Sequence, residues 1–268
     1  MLLLAAAADQ LARRGLAVLD TPQLDAETLA NARALCSTRL DKLLSEVSAV
    51  GVDPVAQHYT FAEISHRQQQ RWDLRLPEDD ALWEQTCAAV VAAAQPVLEL
   101  LHPLDEAGPV HTLMSGVLIS RPGAENQRWH ADADSQHFAR AGGSPHCRIY
   151  NAFMPLVDVE KDGDGTEFAP GSDSIPGWPG AHRDPLYKML PPPTCPPLDA
   201  IEAPACCAGG VLLADYRTLH RGRANIGRER QVAYVVLAVG DEAQDSSNFA
   251  TEAIRQMPKD ALDQMPYW

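Results

Sequence analysis

Gln127-Arg-Trp-His-Ala-Asp132 is the stretch that decides the fold, because it places His130 and Asp132 two residues apart. Residues i and i+2 of a β-strand point to the same face, so an extended segment lets both side chains reach one metal ion. A second imidazole, His220, lies in Asp215-Tyr-Arg-Thr-Leu-His-Arg-Gly222, and it follows Asp132 by 88 residues (220 − 132 = 88). A different strand of a closed, non-local β fold must therefore bring His220 to the first pair.

Two imidazoles and one carboxylate form the facial triad that binds Fe(II) in non-haem oxygenases and leaves positions open for substrates. An H-x-D spacing alone is a weak signal, but here Arg230 follows His220 and opens a β-prone run to Val239. We expect this strand to lie beside that of His220, which would direct Arg230 into the mouth of the barrel. A guanidinium binds a carboxylate through two parallel hydrogen bonds. We therefore predict that His130, Asp132 and His220 are metal ligands. In the usual form of this chemistry 2-oxoglutarate is the cosubstrate, and we predict that Arg230 binds its distal carboxylate. Asn151 is polar within a strand-like run, so it either contacts the cosubstrate or substrate or forms a structural hydrogen bond.

Four segments occur in an order that is typical of one enzyme family. They are Gln127–Asp132, Gly165-Thr-Glu-Phe-Ala-Pro-Gly-Ser172, Leu219-His-Arg-Gly-Arg-Ala-Asn225, and Arg230, which lies ten residues after His220. The chain resembles the phytanoyl-CoA dioxygenase-like branch of the Fe(II)/2-oxoglutarate oxygenases. The resemblance implies an iron enzyme that uses 2-oxoglutarate as cosubstrate and O₂ to oxidise a small molecule. The family's Pro-Gly-Ser turn commonly ends in His, whereas Asp173 stands here.

The pattern of apolar residues predicts helices first and strands later. Helices are expected over residues 2–14, about 23–47 and about 77–101, with a short strand at 16–19 and a less regular segment at 54–77. Strands are expected at 111–120, 127–132, 147–157, 166–169, 211–214, 218–220 and 230–239. We predict one domain over 1–268, with mainly helical support over 1–109, a double-stranded β-helix (jelly roll) core over 110–240 and a C-terminal tail over 241–268, composed of a short helix and an irregular end.

Composition narrows the classes of partner. The net charge is −14 and the pI is near 5.0, so we expect no nucleic-acid partner. No run reaches the roughly 20 apolar residues of a membrane span, so we expect no membrane partner. The six cysteines match no zinc-binding spacing and include no C-x-x-C pair. Free thiols suit the cytoplasm or another reducing compartment. The oligomeric state is unknown from the sequence.

Other interpretations stay open. A cupin-like metalloenzyme that does not use 2-oxoglutarate could carry the same ligands, and so could a non-catalytic binding protein on the same fold. A halogenase is disfavoured, because halide would need the coordination site that Asp132 fills. Asp162-Gly-Asp-Gly165 resembles part of a calcium loop, but it lacks the further ligands and the closing Glu, which favours a plain turn. The insert 133–145 and the Pro-rich stretch 176–204 match no pattern, and we expect them to shape substrate choice.

Overall fold

A computed structural model describes residues 2–77, 79–132, 148–172, 201–240 and 253–254. The predicted order of helices before strands is confirmed. In chain order the elements are α1 (Leu2–Arg14), β1 (Leu16–Leu19), α2 (Ala26–Ala49), β2 (Ile64–Gln68), β3 (Arg71–Leu74), α3 (Ala81–Leu101), α4 (Leu104–Ala107), β4 (Val110–Ser120), β5 (Arg148–Pro155), β6 (Thr166–Phe168), β7 (Val211–Asp215), β8 (His220–Gly222) and β9 (Arg230–Val239).

The strands form a large and a small antiparallel sheet. The large sheet has the order β1-β7-β5-β9-β4-β3-β2, and the small sheet pairs β6 with β8. Strand β9 is central, because it pairs with β4 from Arg230 to Val239 on one side and with β5 on the other. The predicted jelly-roll core with a helical layer is confirmed.

Both faces of the large sheet are buried, which explains why β9 is apolar at nearly every position. Ala233, Val235 and Leu237 pack in one core cluster with α2 and α3. Tyr234 and Val236 alternate with them and belong to a second cluster, on the opposite face of the strand. Burying an aliphatic side chain of this size contributes roughly 1.5–3 kcal/mol. This second face, which we call the inner face, carries the polar residues described below.

Capping side chains set where the helices begin. Asp80 accepts hydrogen bonds from the backbone N–H groups of Leu82 and Trp83, each at 3.0 Å, and α3 begins at the next residue. We predicted that α2 begins near residue 23, but it begins at Ala26, because Asp25 accepts the hydrogen bond of Thr28 N.

The N-terminal part contributes more strand than the sequence indicated. Residues 54–77, expected to be less regular, contain β2 and β3, and β3 pairs with β4 in the large sheet. The inserts 133–145 and 176–200 and the tail, apart from 253–254, lie outside the described residues. None of the helices in the described ranges is long and apolar enough to cross a membrane.

Candidate metal centre

His130 and His220 face each other across two antiparallel segments. His130 N donates to His220 O at 3.0 Å, and His220 N donates to His130 O at 2.8 Å. Directly opposite residues of such a pair carry their side chains on the same face. The two imidazole centroids are therefore only 4.4 Å apart.

The segment that carries His130 and Asp132 is not a regular strand, contrary to our prediction. It forms an isolated bridge between His130 and His220. Gln127 N donates to Gly222 O of β8 at 2.9 Å, and Asp132 N donates to Tyr216 O, just after β7, at 3.0 Å. The predicted same-face geometry survives because these bonds, one at each end, keep the segment extended.

Asp132 completes a cluster with the two histidines. Its Oδ2 lies 3.6 Å from His220 Nε2. One ligand atom from each of His130, Asp132 and His220 lies within 4.8 Å of the others. Among the described residues, these three form the group of His, Cys, Asp or Glu side chains that could hold a metal ion. The three predicted ligands are thus brought together.

Both imidazoles have the tautomer that a metal ligand needs. His130 Nδ1 lies 2.8 Å from Arg128 O, and His220 Nδ1 lies 3.0 Å from Thr218 O. A backbone carbonyl only accepts hydrogen bonds, so each Nδ1 carries the proton. Each ring thereby places its Nε2 on the side of the cluster. Hydrogen bonds from the second nitrogen commonly fix the orientation of a metal-binding histidine.

Asn151 holds the carboxylate of this cluster. Its Nδ2 donates to Asp132 Oδ2 at 2.5 Å, from the inner face of β5. The sequence left two roles open for Asn151, a contact with the cosubstrate or substrate and a structural hydrogen bond. The structure shows a hydrogen bond to the predicted ligand Asp132. A carboxylate with one oxygen held in this way keeps a fixed orientation toward the imidazoles.

The Gly-x-x-Phe-x-Pro-Gly-Ser segment supports His220 from outside the cluster. Ser172 Oγ accepts a hydrogen bond from Leu219 N at 2.8 Å. The ring of Phe168 stacks on the His220 imidazole, with centroids 5.7 Å apart and an interplanar angle of 26°. This motif therefore positions the strand that carries His220.

Arg230 is buried at the start of β9. Its guanidinium Nη1 lies 3.6 Å from Asp164 Oδ1 and has no hydrogen-bond acceptor among the described residues. Burial lowers the pKa of Arg230, although the charge of Asp164 opposes that shift. We expected the strand of Arg230 to lie beside that of His220, which is wrong: β9 lies between β4 and β5, and β8 pairs with β6. Asp164 belongs to the Asp-Gly-Asp-Gly segment, which forms a turn, as predicted.

A second buried arginine, Arg71, was not predicted from the sequence. Arg71 is 3% exposed, and its Nη2 donates to the backbone carbonyls of Glu125 at 3.0 Å and Arg223 at 2.8 Å. Its Nε has no acceptor among the described residues. Burial, followed by the nearby charge of Arg230, lowers the pKa of Arg71 to about 10.

A buried polar group on the inner face was also missed. Asp73 accepts hydrogen bonds from Tyr234 Oη at 2.9 Å and from Arg67 Nη2 at 2.6 Å. Burial raises the pKa of Asp73, although both hydrogen bonds oppose that shift. The available signal was the alternation in Arg71-Trp-Asp-Leu74, where charged and apolar side chains take opposite faces.

These donors suit Fe(II). Imidazole nitrogens and one carboxylate on one side of an ion are typical of the facial triad, which leaves positions for exchangeable ligands. The two imidazoles and the fixed carboxylate converge as this requires, and a buried arginine with an open donor lies in the same barrel. A jelly roll with this donor set defines the class of mononuclear non-haem iron enzymes.

A sequence model of the phytanoyl-CoA dioxygenase (PhyH) family matches residues 15–232. This is more than half of the chain, so the chain belongs to that family, as the resemblance implied. The protein is an oxygenase that depends on Fe(II) and uses 2-oxoglutarate and O₂ as cosubstrates. No curated protein sequence matches the chain.

Several solved structures share the fold at low sequence identity. AviO1 from Streptomyces viridochromogenes Tue57 is 16% identical, with a TM-score of 0.55, over 91% of this chain and 97% of that one. The non-haem alpha-ketoglutarate-dependent carbocyclase SnoK from nogalamycin biosynthesis is 18% identical, with a TM-score of 0.54, over 88% and 83%. The epimerase SnoN, solved with Fe³⁺, alpha-ketoglutarate and nogalamycin RO, is 18% identical, with a TM-score of 0.53, over 94% and 93%.

Proposed function

We propose that this enzyme oxidises a small organic metabolite, most simply by hydroxylation, with His130, Asp132 and His220 as the iron ligands. Arg230 binds the distal carboxylate of 2-oxoglutarate. The observation that carries the proposal is the convergence of three ligand atoms within 4.8 Å, with both Nδ1 atoms already engaged by backbone carbonyls. With these hydrogen bonds in place, both side chains already direct Nε2 toward the position of a metal ion.

When bound, Fe(II) and 2-oxoglutarate supply the oxidising chemistry, in which O₂ is reduced and the cosubstrate leaves as succinate and CO₂. The residues of the chain supply positions and charge. The backbone carbonyls of Arg128 and Thr218 accept hydrogen bonds from the two Nδ1 atoms, so both imidazoles are held in one orientation. Asn151 fixes Asp132, and the buried Arg230 Nη1, which has no acceptor among the described residues, can donate a charge-assisted hydrogen bond to a carboxylate.

We infer that the substrate is a small organic metabolite rather than a CoA thioester. The net charge of −14 gives no sign of the basic surface that a CoA thioester would require. Among proteins with this fold, SnoK is a carbocyclase and SnoN an epimerase, and SnoN was solved with nogalamycin RO. These activities support a small organic molecule as the substrate here, and they make ring closure and epimerisation alternative outcomes to hydroxylation.

Anaerobic titration tests the assignment directly. We expect Fe(II) followed by 2-oxoglutarate to give the weak visible charge-transfer band of a bidentate complex in the wild-type protein. His130→Ala and His220→Ala should each abolish the band. A band of full intensity in both variants would contradict the assigned ligands. Iron binding with no response to 2-oxoglutarate would contradict the assigned cosubstrate site.

A further inference from the structure

We propose that Arg71 is a second cosubstrate-binding arginine, which binds the distal carboxylate of 2-oxoglutarate together with Arg230. This inference rests on the proposed function. It adds a residue from β3 to a site otherwise built from β8, β9 and the 127–132 segment.

The sheet register places both arginines on one face. Arg71 is paired with Ser120 on β4, and Ser120 is paired with Arg230 on β9. Cross-strand partners point to the same side of a sheet. With neighbouring strands about 4.7–4.9 Å apart, the two backbones are separated by roughly 10 Å. Two arginine side chains can readily converge over that span.

The small sheet places the Arg71 guanidinium next to the metal ligands. A Cβ atom added to Gly222 would lie only 1.7 Å from Arg71 Nη1, so the guanidinium occupies the side-chain position of Gly222. His220 and Gly222 are residues i and i+2 of β8 and share a face. The guanidinium therefore lies one strand repeat, roughly 6.5 Å along β8, from the position of His220. A dicarboxylate anchored beside His220 extends over a similar length.

The charges in this pocket require one further anion. Arg71 and Arg230 are 3% and 6% exposed, respectively, and each keeps an N–H group with no acceptor among the described residues. In the described part of the chain, one acidic side chain lies within ion-pair distance of these two guanidinium groups. It is Asp164, whose Oδ1 is 3.6 Å from Arg230 Nη1. Two buried positive charges and one negative charge leave one positive charge, which a single carboxylate offsets. Buried charges are stable only when they are paired.

A simpler role for Arg71 is structural, because its Nη2 already bonds the carbonyls of Glu125 and Arg223. The two roles differ in how they affect two ligands. 2-Oxopentanoate has the same chain length as 2-oxoglutarate and the same 2-oxo acid group, but it lacks the distal carboxylate. A structural role affects the binding of both acids, whereas an anion-binding role affects 2-oxoglutarate alone.

The experiment measures the affinities of both acids by anaerobic calorimetry with the Fe(II)-loaded protein. For Arg71→Gln we expect the affinity for 2-oxoglutarate to fall about tenfold or more, and the affinity for 2-oxopentanoate to stay unchanged. Arg71→Lys should restore part of the loss, since it keeps the charge. The control is Arg228→Gln, which removes an exposed arginine and should change neither affinity.

The outcomes separate this inference from the proposed function. Equal loss of affinity for both acids in Arg71→Gln, or no loss for either, overturns the inference. Should Arg71→Gln not fold, Gly222→Ala provides the same comparison, because its methyl group displaces the guanidinium without removing the charge. If Arg230→Gln leaves the preference for 2-oxoglutarate intact, the role of Arg230 in the proposed function fails, whatever Arg71 does.

Discussion

The two histidines of the candidate metal centre are placed opposite each other by a pair of backbone hydrogen bonds. These bonds place His130 opposite His220, and the carbonyls two residues upstream of each fix the Nδ1 protons. Backbone geometry is insensitive to the loss of one side chain. The imidazoles can therefore be removed one at a time without loss of the surrounding fold.

We expect His130→Ala and His220→Ala each to abolish stoichiometric Fe(II) binding and turnover while the protein stays folded. Each variant removes one of three protein ligands, and neither side chain is part of the apolar core clusters. Iron content after anaerobic reconstitution and far-ultraviolet circular dichroism measure the two quantities. Iron at full stoichiometry in either variant would show that another residue supplies the ligand.

Arg230 gives a second prediction at this scale. Arg230→Ala should weaken 2-oxoglutarate binding by roughly two to three orders of magnitude, because breaking a buried charge-assisted pair costs about 3–5 kcal/mol. Iron affinity should change far less, since Arg230 is not a metal ligand. The measurement is the 2-oxoglutarate concentration dependence of succinate formation.

Arg228 is the matched control for Arg230. It is exposed, and its Nη2 donates to Asp158 O at 3.2 Å. Arg228→Ala should leave the 2-oxoglutarate requirement unchanged, because a solvated guanidinium contributes little. A cosubstrate defect in Arg228→Ala but not in Arg230→Ala would reverse the assignment of the two arginines.

At the scale of the elements, helix α3 supports the large sheet from outside. Its N-terminus depends on Asp80, which accepts two backbone hydrogen bonds. Asp80→Ala should lower the free energy of unfolding by about 1 kcal/mol, the usual effect of losing an N-cap. Asp80→Asn should lower it much less, since the amide oxygen still accepts. Urea unfolding of both variants measures the difference, and 2-oxoglutarate affinity should be unchanged, as α3 contributes no residue to the site.

The elements also show which parts of the site the sequence could predict. His130 and Asp132 were predicted because an extended backbone fixes the directions of side chains two residues apart, and this holds even though the segment is not a regular strand. The position of Arg230 at the start of β9 was correct, but its neighbouring strands were not, because strand order depends on contacts far apart in the chain.

Arg71 and Asp73 could not be assigned in the same way. Arg71 is paired with Ser120 in the sheet, and Asp73 accepts a hydrogen bond from Tyr234. Both partners lie on strands distant in sequence, and nothing within residues 71–74 identifies either partner. The alternation of charged and apolar residues there is typical of a strand with one solvated face. In this protein both charged residues instead face the interior of the barrel. Asp73 accepts hydrogen bonds from Arg67 and Tyr234, and Arg71 donates to backbone carbonyls.

For the molecule as a whole, buried thiols give stability a dependence on pH. The four described cysteines, Cys36, Cys87, Cys206 and Cys207, are free. Burial raises the pKa of Cys36 from 9.0 to about 12, and that of Cys206 by the same amount. Between these pH values the folded protein keeps protons that the unfolded chain has released. Unfolding therefore becomes more favourable as pH rises from about 9 toward 12.

The expected slope is roughly 1.4 kcal/mol per pH unit for each thiol within that range. Denaturant unfolding at pH 8 and pH 10, in the presence of a reductant, measures it. Cys36→Ala and Cys206→Ala should each flatten the dependence, because each removes one group whose proton is lost on unfolding. An unchanged slope in both variants would show that other groups control the alkaline loss of stability.

The ligands of the metal centre lie on either side of two inserts, and β9 must also be present to close the large sheet. During biosynthesis a ribosome therefore releases His130 and Asp132 long before it releases His220 and Arg230. The candidate triad and the arginine pocket can thus be completed only after translation has passed β9.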